Sequence, residues 1–261
     1  MLPIQSMTSD RLNKIKFLLT DIDDTLTERG RLPSSSIGAM ERLEEAGICV
    51  IPITGRPAGW CDHIARMWPV KGVVGENGAL YFSYDADKRR MQTVFVKSEA
   101  ERRADRARLD DIKKRILEEI PGAGIASDQP YRVADLAIDF CEDVTPLDPR
   151  DVTRIVALFE EFGATAKISS IHVNGWFGNY DKLSMTKTIL KGFFDVDVES
   201  DNELIAFIGD SPNDGPMFSF FENSVGVANV MDFSLTDKPK WVTEKRSAHG
   251  FREFAELLIA R

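Results

Sequence analysis

Ile15-Lys16-Phe17-Leu18-Leu19-Thr20-Asp21-Ile22-Asp23-Asp24-Thr25 runs from a mostly apolar stretch straight into a cluster of aspartates. Read as a strand, Ile15–Leu19 presents Asp21 and Asp23 just beyond its carboxyl end. Two other stretches repeat the pattern. Ile48–Ile53 leads into Thr54-Gly55-Arg56-Pro57, and Glu203–Ile208 leads into Gly209-Asp210-Ser211-Pro212-Asn213-Asp214. Runs this apolar suit strands covered on both faces, as in a parallel sheet. Helical patterns lie between and after them. Pro33-Ser34-Ser35-Ser36 opens a helix with Ile37, Met40 and Leu43 on one face and Gly47 at its end, and Leu183–Phe194 and Ala248–Ala260 read as two more. Gly72–Val74, Ser224–Val227 and Trp241–Thr243 read as short strands. Strands alternating with helices of this length predict an α/β fold with a doubly wound, Rossmann-like parallel sheet.

The middle of the chain has another texture. Gln92–Lys97 alternates as a strand, and Ser98 with Glu101 forms a capping box. The helix that follows carries Leu109, Ile112, Ile116 and Ile120 on one face and stops at Pro121-Gly122. Val133–Phe140 reads as a strand, and Asp148-Pro149 starts a second helix with Val152, Ile155, Val156, Phe159 and Phe162 along its apolar face. Ala164–Ile168 and Ile171–Val173 follow as strands. Helices on one side of a mostly antiparallel sheet make a small α+β unit. The expected organisation is an outer domain of residues 1–83 and 178–261, with residues 84–177 inserted into it as a cap.

The 261 residues include 33 Lys+Arg against 42 Asp+Glu, a formal net charge of −9, which argues against nucleic acid as the partner. No apolar stretch approaches the ~20 residues of a membrane helix, so no membrane partner is expected. Met1–Lys16 lacks the apolar segment of a signal peptide. Cys49, Cys61 and Cys141 cannot all pair and none sits in a C-x-x-C, which points to reduced thiols in a cytoplasmic protein. Nothing in the pattern speaks to oligomeric state.

In open α/β sheets, ligands bind beyond the carboxyl ends of the strands. If the three strands are parallel neighbours, Asp21, Asp23, Thr54, Asp210 and Asp214 converge on one crevice. Two like charges ~4 Å apart repel by about 4 kcal/mol at an effective dielectric near 20, so a cation must neutralise the cluster. Oxygen ligands of this kind suit Mg²⁺ bound together with a substrate phosphate.

The joint set of motifs resembles the haloacid dehalogenase superfamily of Mg²⁺-dependent aspartyl phosphohydrolases. Asp21-Ile22-Asp23-Asp24-Thr25 is similar to its D-x-D-x-T motif, Thr54 to its second motif and Gly209-Asp210 with Asp214 to its acidic fourth. The insertion resembles the α/β cap of subclass IIB. Gly75-Glu76-Asn77-Gly78-Ala79 and Gly209–Asp214 look most like the mannosyl-3-phosphoglycerate phosphatase and sucrose-phosphate phosphatase types. The third motif is a lysine at a helix entrance, for which Lys182 fits better than Lys187, a turn and a half further in.

The resemblance implies a phosphatase acting on a small phosphomonoester, a sugar phosphate. Asp21 is expected to be the nucleophile. Asp23, kept protonated by acidic neighbours, is expected to serve as general acid and then base. The expected Mg²⁺ ligands are Asp21, Asp210, Asp214 and the backbone carbonyl of Asp23. Thr54 and Lys182 are expected to hold the phosphoryl oxygens. Thr54, Gly55, Arg56, Glu76, Asn77, Lys182 and Asn213 form the expected substrate-binding set, with Arg132, His172, Asn174 and Trp176 as looser candidates from the cap. Trp176 reads either as a sugar-stacking platform or as hinge packing, and Asp24 as a turn residue. Three other readings are a phosphosugar mutase, a non-catalytic phosphosugar-binding protein and a nucleotide-sugar glycosyltransferase using Asp21-Ile22-Asp23. The last predicts neither the Thr54 nor the Asp210 cluster.

Overall fold

The structure, a computed structural model, describes residues 1–261. Its centre is a six-stranded sheet, every neighbouring pair parallel, in the order Leu2–Pro3, Trp241–Val242, Asn223–Gly226, Ile205–Gly209, Phe17–Thr20, Cys49–Pro52. All four residues of Phe17–Thr20 and all five of Ile205–Gly209 are buried, because helices cover both faces. Alternation along the strands splits the core in two. Leu18, Val50, Ile208 and Val225 face the helices Ser34–Glu45, Ala58–Met67 and Ser247–Ile259. Phe17, Leu19, Ile51 and Phe207 face Lys182–Phe194 and Gly215–Phe220. This is the doubly wound α/β arrangement. No helix is long and apolar enough to cross a membrane.

Register fixes where the site falls. Thr20 pairs with Pro52 on one side and with Ile208 on the other, so the three strands end level. Asp21, one residue further on, and Thr54 and Asp210, two residues further on, therefore emerge at one edge.

A second sheet, antiparallel, has the order Gly124–Ile125, Leu136–Asp139, His172–Trp176, Thr165–Ile168. The helices Glu99–Glu119 and Pro149–Glu161 close it into a separate core of Leu109, Ile112, Leu136, Ile138, Ile155, Phe159 and Val173. Both helix starts match their sequence signals: Ser98 and Glu101 make the capping box, and Asp148 accepts the Arg150 N–H. The strand expected within the insert at Gln92–Lys97 lies elsewhere. It forms as Arg90–Phe95, pairs with Leu80–Asp85, and packs Met91 and Phe95 against the outer core. The hairpin thus runs across the expected boundary at residue 84, held to the outer side by its apolar residues.

Glu76, expected to bind substrate, instead docks the small unit. Its carboxylate is fully buried and accepts the backbone N–H groups of Ala58, Val133, Ala134 and Asp135 at 2.6–3.2 Å. One acceptor thereby satisfies donors from a core helix and from the segment leading into Leu136–Asp139. Gly78, with φ +105°, lets the same turn press on the Lys182 helix, since a Cβ there would lie 2.0 Å from the Asp181 carbonyl oxygen. A buried donor stripped of its acceptor costs ~1–3 kcal/mol. Glu76→Ala should therefore lower stability by about 3 kcal/mol or more in urea unfolding, and a loss under about 0.5 kcal/mol would contradict the docking role.

Candidate active site

Asp21, Asp210 and Asp214 each bring a carboxylate oxygen to one place, the three atoms lying within 4.8 Å of one another. The local sequence makes this possible. Asp214 ends the short turn Pro212–Asp214, and its carboxylate bends back to accept the Asp210 N–H at 3.1 Å. Only glycine at 209 admits that approach, because a Cβ would lie 2.2 Å from Asp214 Oδ2. Lys182, first residue of its helix, donates from Nζ to Asp21 and to Asp214, each at 2.7 Å. Those ion pairs leave Asp210 outside them. Lys187, the other candidate lysine, turns away to Glu199 at 2.6 Å.

When ionised, the three buried carboxylates face one ammonium, a deficit of two positive charges. Burial pushes the Asp21 carboxyl up to about 8, with Asp214 and Asp23 adding to the push against the pull of Lys182. Asp210 is raised well above the usual carboxylate range by burial first and by Asp21 next. Burial works to lower the Lys182 pKa, yet its two carboxylate partners raise it above the ordinary lysine value. A buried all-oxygen donor set with this deficit fits a divalent, oxygen-seeking cation.

Asp23 stands apart from the trio. Arg56 grips its carboxylate in a fork, Nε at 2.9 Å and Nη2 at 2.8 Å. The acidic neighbours expected around Asp23 are thus accompanied by a guanidinium in direct contact with its carboxylate. Arg56 is 5% exposed, lies over the Trp60 ring at 4.4 Å, and reaches Glu142 at 3.1 Å and Asp128 at 3.5 Å. Asp24, at φ 54°, is a turn residue whose carbonyl accepts from Asn229.

The remaining expected residues divide. Thr54 is fully buried, and its hydroxyl accepts the Arg56 N–H at 3.0 Å. Gly55 and Asn213 line the cleft, and Asn213 donates to Asn77, which sits just behind. Arg132 also lines it but is held by Asp128, Asp135 and the Gly55 carbonyl. His172 and Asn174 face the cleft from the second sheet. Trp176 does not: it is 1% exposed and stacks on Tyr180 at 5.7 Å, which makes it packing. Ser169, Ser170, Ser211 and Glu142 were not foreseen. Ser169 and Ser170 form the turn between two strands, a signal that the pattern read only as a break.

The cleft between the two sheets is a narrow cavity of about 20 Å³, and of its 13 lining residues only Ile171 is hydrophobic. The outer domain supplies the carboxylates, Gly55 and Arg56, and the small unit supplies Arg132, Ser169–His172 and Asn174.

Residues 18–118 match the haloacid dehalogenase-like hydrolase family. The chain is 24% identical over 250 residues to a phosphoglycolate phosphatase of Methanobrevibacter smithii, covering 94% of this chain and 99% of that protein. A phosphoglycolate phosphatase of Methanoculleus marisnigri is 26% identical over 255 residues, with 92% and 94% covered. The Synechocystis sp. PCC6803 sucrose-phosphatase, solved with sucrose and phosphate, shares the fold at TM-score 0.63 and 14% identity, covering 93% of this chain and 97% of that one. With a D-x-D strand end, a lysine at a helix entrance and a paired aspartate turn, the chain is similar to the haloacid dehalogenase-like hydrolases in its site as well as over residues 18–118.

Proposed function

We propose that this hydrolase is a Mg²⁺-dependent phosphatase that releases phosphate from a small phosphomonoester, a sugar phosphate, through an aspartyl-phosphate on Asp21. One observation carries the reading: two level strand ends and one helix start bring Asp21, Asp210, Asp214 and Lys182 together at the buried end of a polar cleft. Asp21, Asp210 and Asp214, with the Asp23 carbonyl, would hold the ion, which supplies positive charge to the phosphoryl oxygens.

The chain's own groups account for the rest. An Asp21 carboxylate oxygen forms a bond to phosphorus as the bond to the leaving oxygen breaks, which divides a very slow hydrolysis into two easier steps. The Lys182 ammonium and the Thr54 hydroxyl bind phosphoryl oxygens. Asp23, within the same cleft, takes up a proton from solvent on leaving Arg56, gives it to the leaving oxygen and later takes one from the attacking water. To do so it must leave the Arg56 fork, so the arrangement described here is a resting one. Residues from about 96 to 177 act as a cap, because their Ser169–His172 turn walls the cleft opposite Asp21. Free thiols at Cys49, Cys61 and Cys141 support a cytoplasmic setting.

The relatives' name points to phosphoglycolate, and the sucrose-phosphatase to a sugar phosphate. Hydroxyl, amide and imidazole groups along the cleft support the sugar. Phosphate release from a panel of sugar phosphates and phosphoglycerates is expected with Mg²⁺ and lost with a chelator. Isomerised product without free phosphate would mark a mutase instead. Asp21→Asn, near-isosteric but unable to form the phospho-enzyme, should lower kcat on the order of 10⁴-fold with thermal unfolding still cooperative, and wild-type turnover by this variant would overturn the mechanism.

A further inference from the structure

A phosphoryl group bound at Asp21 leaves its leaving group the stretch of cleft lined by Asp23, Arg56 and His172, the last two of which are paired with Glu142. Two guanidiniums line the cleft, and both are already matched. Arg132 sits between Asp128 and Asp135 with its remaining reach spent on the Gly55 carbonyl. Arg56 is matched by Asp23 and Glu142, with Asp128 at 3.5 Å, and when Asp23 leaves the fork Glu142 and Asp128 still face the guanidinium. Each guanidinium is 5% exposed. A carboxylate entering here would meet Asp23 and Glu142 and no uncommitted cation, whereas a hydroxyl would meet acceptors and donors alike.

Glu142 holds this balance in a fixed position. The Asp139 carboxylate, itself 1% exposed, accepts the N–H groups of Cys141, Glu142 and Asp143, which shapes the turn that carries Glu142. One Glu142 oxygen lies 3.1 Å from Arg56, and the other lies 2.9 Å from His172 Nε2. The His172 contact, aided by Arg56 and opposed by burial, holds the Glu142 carboxyl down to about 2, so it stays charged. Glu142 belongs to the small unit and Arg56 to the outer domain, so the pair forms only where the two meet.

We infer that Glu142 is a specificity-determining residue: by keeping Arg56 occupied, it excludes phosphate esters whose leaving group bears a carboxylate and reserves the cleft for uncharged, hydroxylated ones. The inference rests on the phosphatase reading above.

A matched pair of esters tests it. Phosphoglycolate and 2-hydroxyethyl phosphate differ only in a carboxylate against a hydroxymethyl group. With Mg²⁺, the wild-type protein should favour 2-hydroxyethyl phosphate by at least tenfold in kcat/KM. Glu142→Gln should raise the phosphoglycolate to 2-hydroxyethyl phosphate ratio by at least tenfold, with the gain in the KM for phosphoglycolate, because the freed guanidinium binds that carboxylate in the ground state. Glu142→Asp, which keeps the charge, should stay with the wild type, and this separates loss of charge from general damage to the turn. A wild-type preference for phosphoglycolate, or a ratio within twofold of wild type in Glu142→Gln, overturns the inference while the phosphatase reading stands. No metal-dependent release from either ester or from p-nitrophenyl phosphate by the wild type overturns the phosphatase reading, and the inference with it.

Discussion

Lys182 Nζ stands 2.7 Å from Asp21 and 2.7 Å from Asp214, with Asp210 beside them and all four side chains buried. Burying like charges is unfavourable unless they are paired, and one ammonium cannot pair three carboxylates. The architecture creates this tension deliberately close to the sheet edge. Level strand ends set Asp21 beside Asp210, Gly209 gives Asp214 room to fold back, and Gly78 lets the Lys182 helix press inward. Each of these is a constraint on backbone position. Together they define a place whose surplus of buried carboxylates the protein does not resolve alone and whose oxygen donors suit a divalent cation.

The second organising feature is the joint between the outer domain and the small unit. Polar contacts cross it beside a small apolar patch of Ala79, Ala134, Trp176 and Tyr180. Glu76 takes N–H groups from both sides, Arg132 reaches across to the Gly55 carbonyl, and Arg56 reaches across to Glu142. The same contacts that seat the small unit also hold Arg56 and, through it, Asp23. Separation of the two units would break the Arg56–Glu142 pair and alter the grip on Asp23, which links any movement of the small unit to Asp23.

Much of this was legible in the residues. The strands Phe17–Thr20, Cys49–Pro52 and Ile205–Gly209 carry their own signal, an apolar run ended by polar residues, and a parallel sheet turns those ends into one site. The capping signals at Ser98 and Asp148 are equally local and form as expected. What was not legible depends on partners far away in the chain. Glu76 follows a strand in Gly75-Glu76-Asn77-Gly78, which looks like a binding loop, yet three of its four N–H donors lie 57–59 residues ahead at Val133–Asp135. Arg56 follows Thr-Gly as a ligand-binding arginine would, but Asp23 and Glu142 claim it. Trp176 lies on a strand beside two glycines, and only the placement of Tyr180 shows that it is packing. Glu142 had no signal at all, since its position comes from the turn that Asp139 builds.

The charge deficit at Asp21, Asp210 and Asp214 is the central claim, and a calorimetric titration of Mg²⁺ into the wild-type protein tests it most directly. One binding event per chain, abolished by Asp210→Asn in a protein that still unfolds cooperatively, is the predicted result. No binding by the wild type, or equal binding by the variant, would contradict the account.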